Sequence, residues 1–342
     1  MEKHDERIKD PASIAKKIHV PTYDELLERI KSRYPKSART AYDLEMARIQ
    51  ATHDIAISKT NFVRDLARLL DSLHPFYWRL IEVDFNPKDI HKAIACISRA
   101  RKLSSRLFEK YRFHLMAAEN RRELARVSSE ARGRILSLYK KCRKSLDLLR
   151  NLVVFIQHLP AIDPEVETLI IAGAPSTGKS TLVRSLSRAK PEVAPYPFTT
   201  RNIHIGHFQL DCGDETRLIQ VIDTPGILDR PPEEMNPVER RAVAALEELP
   251  GRILFLVDAS PTPYMSLEEQ FKLLRRIRSL IRTKPLYVGV NKIDTATKET
   301  LDRAVKLAKD TVDKGIAASY TLLVAADACS ARKAVGQLLC NT

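Results

Sequence analysis

The stretch TLIIAGAPSTGKS (residues 168–180) decides the fold. Five residues, Thr168–Ala172, form a short apolar run of strand type. It ends on Gly173-Ala174-Pro175-Ser176-Thr177-Gly178-Lys179-Ser180, which in turn opens a segment of helical period, Gly178–Arg188. Strand, glycine-flanked loop and helix start are the context in which GxxxxGKS acquires chemical meaning. The glycines let backbone N–H groups wrap phosphate oxygens. A lysine at position 179 reaches the β- and γ-phosphates, and the Ser180 hydroxyl can ligate Mg2+. With Thr181 completing the helix start, residues 173–181 are the expected phosphate cradle.

Outward from this loop, toward the C-terminus, the same texture repeats. Apolar runs at Thr168–Ala172, Arg217–Ile222, Ile253–Val257, Leu286–Val290 and Leu322–Ala325 alternate with helix-period segments. Those segments are Val238–Leu249, Leu267–Ile281, Leu301–Lys314 and Ala331–Leu339. Buried strands alternating with helices imply a mostly parallel sheet covered on both faces. Two further motifs fall at strand ends. Asp223-Thr224-Pro225-Gly226 follows LIQVI: its aspartate is placed to hold magnesium, directly or through water, and its glycine N–H to meet a γ-phosphate. Asn291-Lys292-Ile293-Asp294 follows LYVGV. A carboxylate at 294 can accept from guanine N1–H and the exocyclic amine, a donor pair adenine lacks, and the lysine stem can lie on the base plane. Thr199 and Thr200, in YPFTT, stand between the first helix and the following strand, where a threonine can close on magnesium when the γ-phosphate is present.

Toward the N-terminus the composition changes. Of ten glycines only Gly133 precedes residue 160, and no proline lies between Pro87 and Pro160. Such a segment lacks the turns that strands need and reads as helices. Ile90–Leu107 carries apolar residues every three or four positions, and Arg134–Leu159 repeats the pattern. Residues 1–160 are therefore expected to form an antiparallel helical bundle, and residues 161–342 the P-loop domain.

The charge is as unevenly spread as the glycine. The chain of 342 residues carries 57 Lys+Arg and 43 Asp+Glu, a formal charge of +14. Residues 1–160 account for 33 basic and 20 acidic side chains; residues 91–150 alone hold 17 and 5. That imbalance exceeds what internal pairing can neutralise and gives one segment the footprint of a nucleic-acid partner, through clusters at Arg99–Arg112 and Lys140–Arg150. The acidic residues Asp229, Glu233 and Glu234 are complementary to it in charge. Aromatic residues at 76–78 are read as core at a helix joint rather than as a base-stacking platform. Apolar runs too short for a membrane span exclude an integral membrane protein, and a charged N-terminus lacks a secretory signal. Five scattered cysteines argue against a disulfide framework and for a reducing cytoplasm.

The order GxxxxGKS, threonine loop, DTPG, NKID resembles the translation-factor class of GTPases, and YPFTT with DTPGILDRP resembles its Obg branch. The strings LHPFY (73–77), LPAIDP (159–164) and DTPGILDRPPEEMNPVERRAVAAL (223–246) bring the likeness to the nucleolar GTP-binding, Nog-type family, archaeal members included. The resemblance implies an Obg-type G domain that binds GTP or GDP with Mg2+, hydrolyses GTP, and acts in assembly of the large ribosomal subunit. By the same resemblance Lys179, Thr200 and Gly226 serve hydrolysis; Ser180, Thr200 and Asp223 hold the metal; Asn291, Lys292 and Asp294 read guanine. It implies contact with large-subunit rRNA or a pre-ribosomal particle, a cytoplasmic protein that is monomeric off the ribosome, and, because the chain ends with its G domain, the archaeal form. Three departures stand out. Ser176 replaces the asparagine that relatives associate with potassium-assisted hydrolysis. Ile227 replaces the glutamine that orients water in Ras-like enzymes, so intrinsic hydrolysis should be slow. The last guanine-contacting loop is degenerate and lies within 325–330. Two functional classes are consistent with this: a GTPase switch in ribosome assembly, and an RNA-binding assembly protein whose nucleotide is structural.

Overall fold

The computed structural model describes residues 10–187, 190–198, 202–213 and 215–340. They divide into two compact units, residues 10–73 with 84–158, and residues 74–83 with 159–340. The short segment His74–Val83 thus belongs to the second unit, an excursion that composition does not announce.

The first unit is helical: α1 (Pro11–Ala15), α2 (Tyr23–Ser32), α3 (Ala41–Lys59) and α4 (Phe62–Asp71) precede the excursion, which carries α5 (Pro75–Ile81). After it come α6 (Pro87–Met116), α7 (Arg121–Lys141) and α8 (Arg143–Gln157). Side-chain caps start most of these helices. Thr22 and Thr40 form capping boxes with Glu25 and Asp43, and Asn86 and Asn120 cap α6 and α7. The expected face of Ile90–Leu107 is buried through Ile90, Ala93, Ile97 and Ala100. Arg134–Leu159, expected as one periodic helix, is interrupted at Cys142, which ends α7 and precedes α8. The apolar spacing runs unbroken through Leu138, Cys142 and Leu146, so periodicity cannot register the break.

The second unit contains β1 (Glu167–Gly173), α9 (Lys179–Leu186), β2 (Glu192–Pro195), β3 (Asn202–Cys212) and β4 (Glu215–Asp223). These are followed by α10 (Pro237–Ala244), β5 (Gly251–Asp258), α11 (Leu267–Leu280), β6 (Leu286–Asn291), α12 (Lys298–Asp313), β7 (Ser319–Leu322) and α13 (Ala328–Cys340). The seven described strands form one sheet in the order β2-β3-β4-β1-β5-β6-β7. β4, β1, β5, β6 and β7 are parallel, whereas β2 and β3 are antiparallel additions at one edge. The expected strands are present, but β2 and β3 were not anticipated. β3 buries Ile203 and Ile205 and then, beyond Gly206 and His207, Phe208 and Leu210 on the other face, so its apolar alternation changes phase midway instead of forming a continuous apolar run. β7 begins and ends three residues earlier than expected, because Leu323 leaves the sheet after its N–H reaches the Val290 carbonyl.

Successive connections from β1 lead first to one side of it and then to the other. The C-terminal end of β1 therefore lies at a topological switch point, where an open α/β sheet presents a crevice. One face of the sheet packs Leu169, Ile171, Leu254 and Leu256 against Leu182 and Val183 of α9 and Val335 and Leu338 of α13. This anchors the helix that follows the phosphate-type loop.

The cysteine expectation is corrected. Cys96 is joined to Cys142 and Cys212 to Cys340, with Cα separations of 6.0 and 5.2 Å, leaving Cys329 exposed as a free thiol. The partners lie 46 and 128 residues apart in sequence, so spacing carries no trace of them. The cysteine argument for a reducing compartment falls with the expectation. Among the described residues no helix is long and apolar enough to cross a membrane.

Candidate functional site

The segments of residues 173–181, 223–229 and 291–295 converge at the C-terminal end of the parallel strands. Register explains the convergence. Asp223 closes β4 beside Ile171 of β1, Gly173 lies beside Leu256 of β5, and Asp258 of β5 faces Asn291 of β6.

The loop after β1 is held in a conformation that needs its glycines. Gly178 has φ +95°, and a Cβ there would lie 2.5 Å from Asn291 Nδ2. Gly173 has φ +140°, and a Cβ would meet the Leu256 carbonyl at 2.5 Å. Ser176 also adopts positive φ, at 63°. The Thr177 hydroxyl donates to the Ala174 carbonyl at 2.9 Å. Lys179 is buried, and its Nζ donates to the carbonyls of Gly173 and Ala174 at 2.9 and 2.8 Å. Burial lowers its pKa, while Asp229 and Asp223 oppose the shift. An ammonium folded onto the loop of an eight-residue helix start is placed to neutralise an anion in that cradle.

Beside it the Ser180 hydroxyl donates to Asp223 Oδ2 at 2.5 Å. Asp223 is fully buried. Its Oδ2 also faces His204 Nδ1 at 3.3 Å, and its Oδ1 has no hydrogen-bond partner among the described residues. A hydroxyl and a buried carboxylate oxygen left unmatched form a hard-oxygen pair suited to a divalent cation such as Mg2+. Thr199 and Thr200, the expected switch threonines, lie outside the described residues.

The loop after β4 turns at once. The N–H groups of Ile227 and Leu228 both return to the Thr224 carbonyl, at 3.1 and 3.3 Å, and the Thr224 hydroxyl donates to the Ile171 carbonyl at 2.9 Å. Ile227 is buried, so it is a packing residue of this turn. Asp229, expected as part of an acidic surface complementary to the basic helices, instead accepts from the Gly226 N–H at 2.8 Å, and Glu233 faces Arg276 at 3.8 Å.

The NKID segment is tied to the phosphate-type loop and to the last loop of the sheet. Asn291 Nδ2 donates to the Thr177 carbonyl and its Oδ1 accepts from the Ala325 N–H, both at 2.8 Å. One buried asparagine thus joins three loops. A pocket lies between Gly178 and Thr181 on one side, Lys292, Asp294 and Thr295 below, and Val324, Ala325 and Ala326 opposite. Of the segment 325–330, Ala325 and Ala326 line this pocket, next to Val324. Lys292 has φ 61° and pairs through Nζ with Asp258 Oδ2 at 2.6 Å. Asp258 is buried, its carboxylate accepts from the Ser260 N–H at 2.9 Å, and its own N–H donates to Gln270 Oε1 at 2.8 Å. Sequence reasoning overlooked Asp258 and Gln270: the register of β5 against β6 brings Asp258 to Lys292, and Gln270 of α11 binds the Asp258 backbone.

Two of the strings quoted above, LHPFY and LPAIDP, also meet. The buried Tyr77 hydroxyl donates to the carbonyls of Ile162 and Pro160 at 2.6 and 3.2 Å, and Phe76 packs edge-on against its ring at 5.0 Å. The aromatic residues at 76 and 77 are core, as read from the sequence.

In the helical unit the basic residues separate into two kinds. Arg101 donates to the Ile57 carbonyl, Thr60 Oγ1 and Asn61 Oδ1, and burial lowers its pKa, so it braces α6 against the end of α3. Arg143 and Arg150 pair with Asp24 and Glu25 of α2. Lys140, Lys141 and Lys144 are exposed and make no ion pair among the described residues.

A GxxxxGKS loop at a switch point, a buried strand-end aspartate beside its serine, and an NKID loop joined to it define an α/β domain of the P-loop nucleotide-binding class. Two family models match the chain, the NOG1 N-terminal helical domain over residues 16–163 and nucleolar GTP-binding protein 1 (NOG1) over residues 237–294. The chain belongs to the nucleolar GTP-binding protein 1 family. It is 33% identical to the nucleolar GTP-binding protein 1 of Drosophila melanogaster over 301 residues, 86% of this chain and 46% of the relative. With the Saccharomyces cerevisiae protein of the same name it shares 31% identity over 82% of this chain and 43% of the relative. The chain thus spans about half the length of the curated relatives it matches. The crystal structure of a Plasmodium falciparum protein assigned to nucleolar GTP-binding protein 1 is 30% identical, covers 52% of this chain and 86% of its own, and superposes with a TM-score of 0.44.

Proposed function

We propose that this chain binds GTP and GDP with Mg2+, hydrolyses GTP slowly, and serves as a switch in assembly of the large ribosomal subunit. The observation that carries this reading is Asn291, whose amide ties the phosphate-type loop, the NKID segment and the Ala325 loop into one pocket with Asp294 at its wall. In that pocket Asp294 would accept from the two guanine donors, and adenine would leave the carboxylate unsatisfied. Lys179 and the N–H groups of residues 174–180 would hold the phosphates, Ser180 and Asp223 the magnesium, and the Gly226 N–H the γ-phosphate. Magnesium would supply charge neutralisation of the β- and γ-phosphate oxygens.

Family membership supports the assembly role, and the exposed lysines of the helical unit support rRNA phosphate as the surface they meet. One observation favours a second reading. Ile227 is buried and cannot orient water, so the nucleotide would be structural in an RNA-binding assembly protein. Turnover separates the two. The GTPase reading expects on the order of 10⁻⁴ to 10⁻² per second for the isolated protein and acceleration by large-subunit particles. No hydrolysis in either condition would leave the structural-nucleotide reading standing.

A further inference from the structure

Asp229 carries a charge at the centre of the site. Its Oδ2 accepts the Gly226 N–H at 2.8 Å. Its charge, like that of Asp223, opposes the lowering that burial imposes on the Lys179 pKa. This carboxylate therefore occupies a donor that the guanine-nucleotide reading gives to a γ-phosphate, the Gly226 N–H. The backbone fixes it there. Gly226 has φ +71°, the N–H groups of Ile227 and Leu228 close on the Thr224 carbonyl, and the Leu228 carbonyl accepts from the Gly173 N–H at 3.2 Å. With Ile227 and Leu228 both buried, the turn delivers Asp229 to its place.

An amide has a single hydrogen, and a carboxylate and a phosphate oxygen cannot both receive it at full strength. Two anions at one spot in a partly buried site also repel. On the guanine-nucleotide reading a diphosphate would end within the cradle of residues 174–180 and leave the Gly226 N–H uncontested, whereas a triphosphate would contest it. We propose that Asp229 is a specificity-determining residue that competes with the γ-phosphate for the Gly226 N–H and so sets the preference between GTP and GDP. The inference rests on the guanine-nucleotide reading and adds to it a named internal competitor. A ligand must outbid a contact in the conformation it does not favour, and removing that contact raises apparent affinity for that ligand alone.

The test is calorimetric titration of the full chain, as wild type, Asp229→Asn and Asp229→Ala, with GDP and with a non-hydrolysable GTP analogue in Mg2+. Asp229→Ala should bind the analogue roughly tenfold more tightly, while GDP affinity stays within about twofold. Asp229→Asn keeps an acceptor without the charge and should show a smaller gain in the same direction. Unchanged or weakened analogue binding, with GDP binding intact in the wild type, would overturn the inference and leave the guanine reading in place. Equal changes for both nucleotides would also overturn it, since they would mark Asp229 as a support of the turn. A wild type that binds neither guanine nucleotide would overturn the guanine reading and this inference together.

Discussion

The two units of this chain place their chemistry in different parts of the polypeptide. The nucleotide-type unit works through backbone: nine of the ten glycines lie there, and its loops adopt positive φ at Gly173, Ser176, Gly178, Gly226 and Lys292. The helical unit works through side chains, with polar caps at helix starts and charge on helix faces. A phosphate held by N–H groups needs loops of one shape, and loops of one shape need particular residues in sequence. A polyanion held by charge needs only enough cations on one surface, and many sequences provide that. The first arrangement is therefore sensitive to single substitutions, whereas the second responds to the sum of several.

That contrast can be broken at graded points. The largest effect is expected at Lys179. Lys179→Ala should weaken GTP binding by on the order of a hundredfold or more, the scale of losing a charge-assisted contact, while the far-ultraviolet circular dichroism of the helical unit is unchanged. Asp294→Asn should cost on the order of tenfold to a hundredfold in GTP affinity, the scale of losing charge-assisted hydrogen bonds to the base. It should favour xanthine nucleotides, which competition binding would detect. Asp258→Asn removes the charge that holds Lys292 and should weaken GDP and GTP equally, by about tenfold. A change confined to one nucleotide would show that Asp258 acts on something other than the base pocket.

The helical unit should yield less per residue. Reversing the charge of Lys140, Lys141 and Lys144 together should flatten the salt dependence of binding to large-subunit rRNA by up to about three units of log slope and leave GTP affinity unaltered. Unchanged RNA binding would reduce that face to solvated surface. The smallest effect is Tyr77→Phe, which deletes the hydroxyl that reaches Ile162 and Pro160 and should cost about 1 kcal/mol of stability by chemical denaturation, with no change in nucleotide affinity.

What the sequence disclosed follows the same division. GxxxxGKS, DTPG and NKID are contiguous strings at strand ends, and each is legible because local backbone geometry dictates it. Asp258 was hidden because it reaches Lys292, 34 residues away, only through the register of β5 against β6, and Gln270 because only the packing of α11 brings it to the Asp258 backbone. The partners of Cys96 and Cys212 were hidden because elements distant in sequence bring them together, 46 and 128 residues apart. Asp229 is a different case. It sits in plain view three residues after Gly226, but charge alone suggested an outward surface, and only the turn at Thr224 aims it inward. In the helical unit charge counting found the basic segment but did not separate Arg101, which braces two helices, from lysines that face solvent.

Guanine selection by the pocket built on Asn291, proposed above, is tested most directly by calorimetry of the full chain with GDP and with ADP in the same buffer and Mg2+. The expected result is saturable binding of GDP, and ADP affinity weaker by at least about tenfold to a hundredfold, because only guanine supplies the donor pair that Asp294 would accept. Equal affinity for the two nucleotides would contradict it.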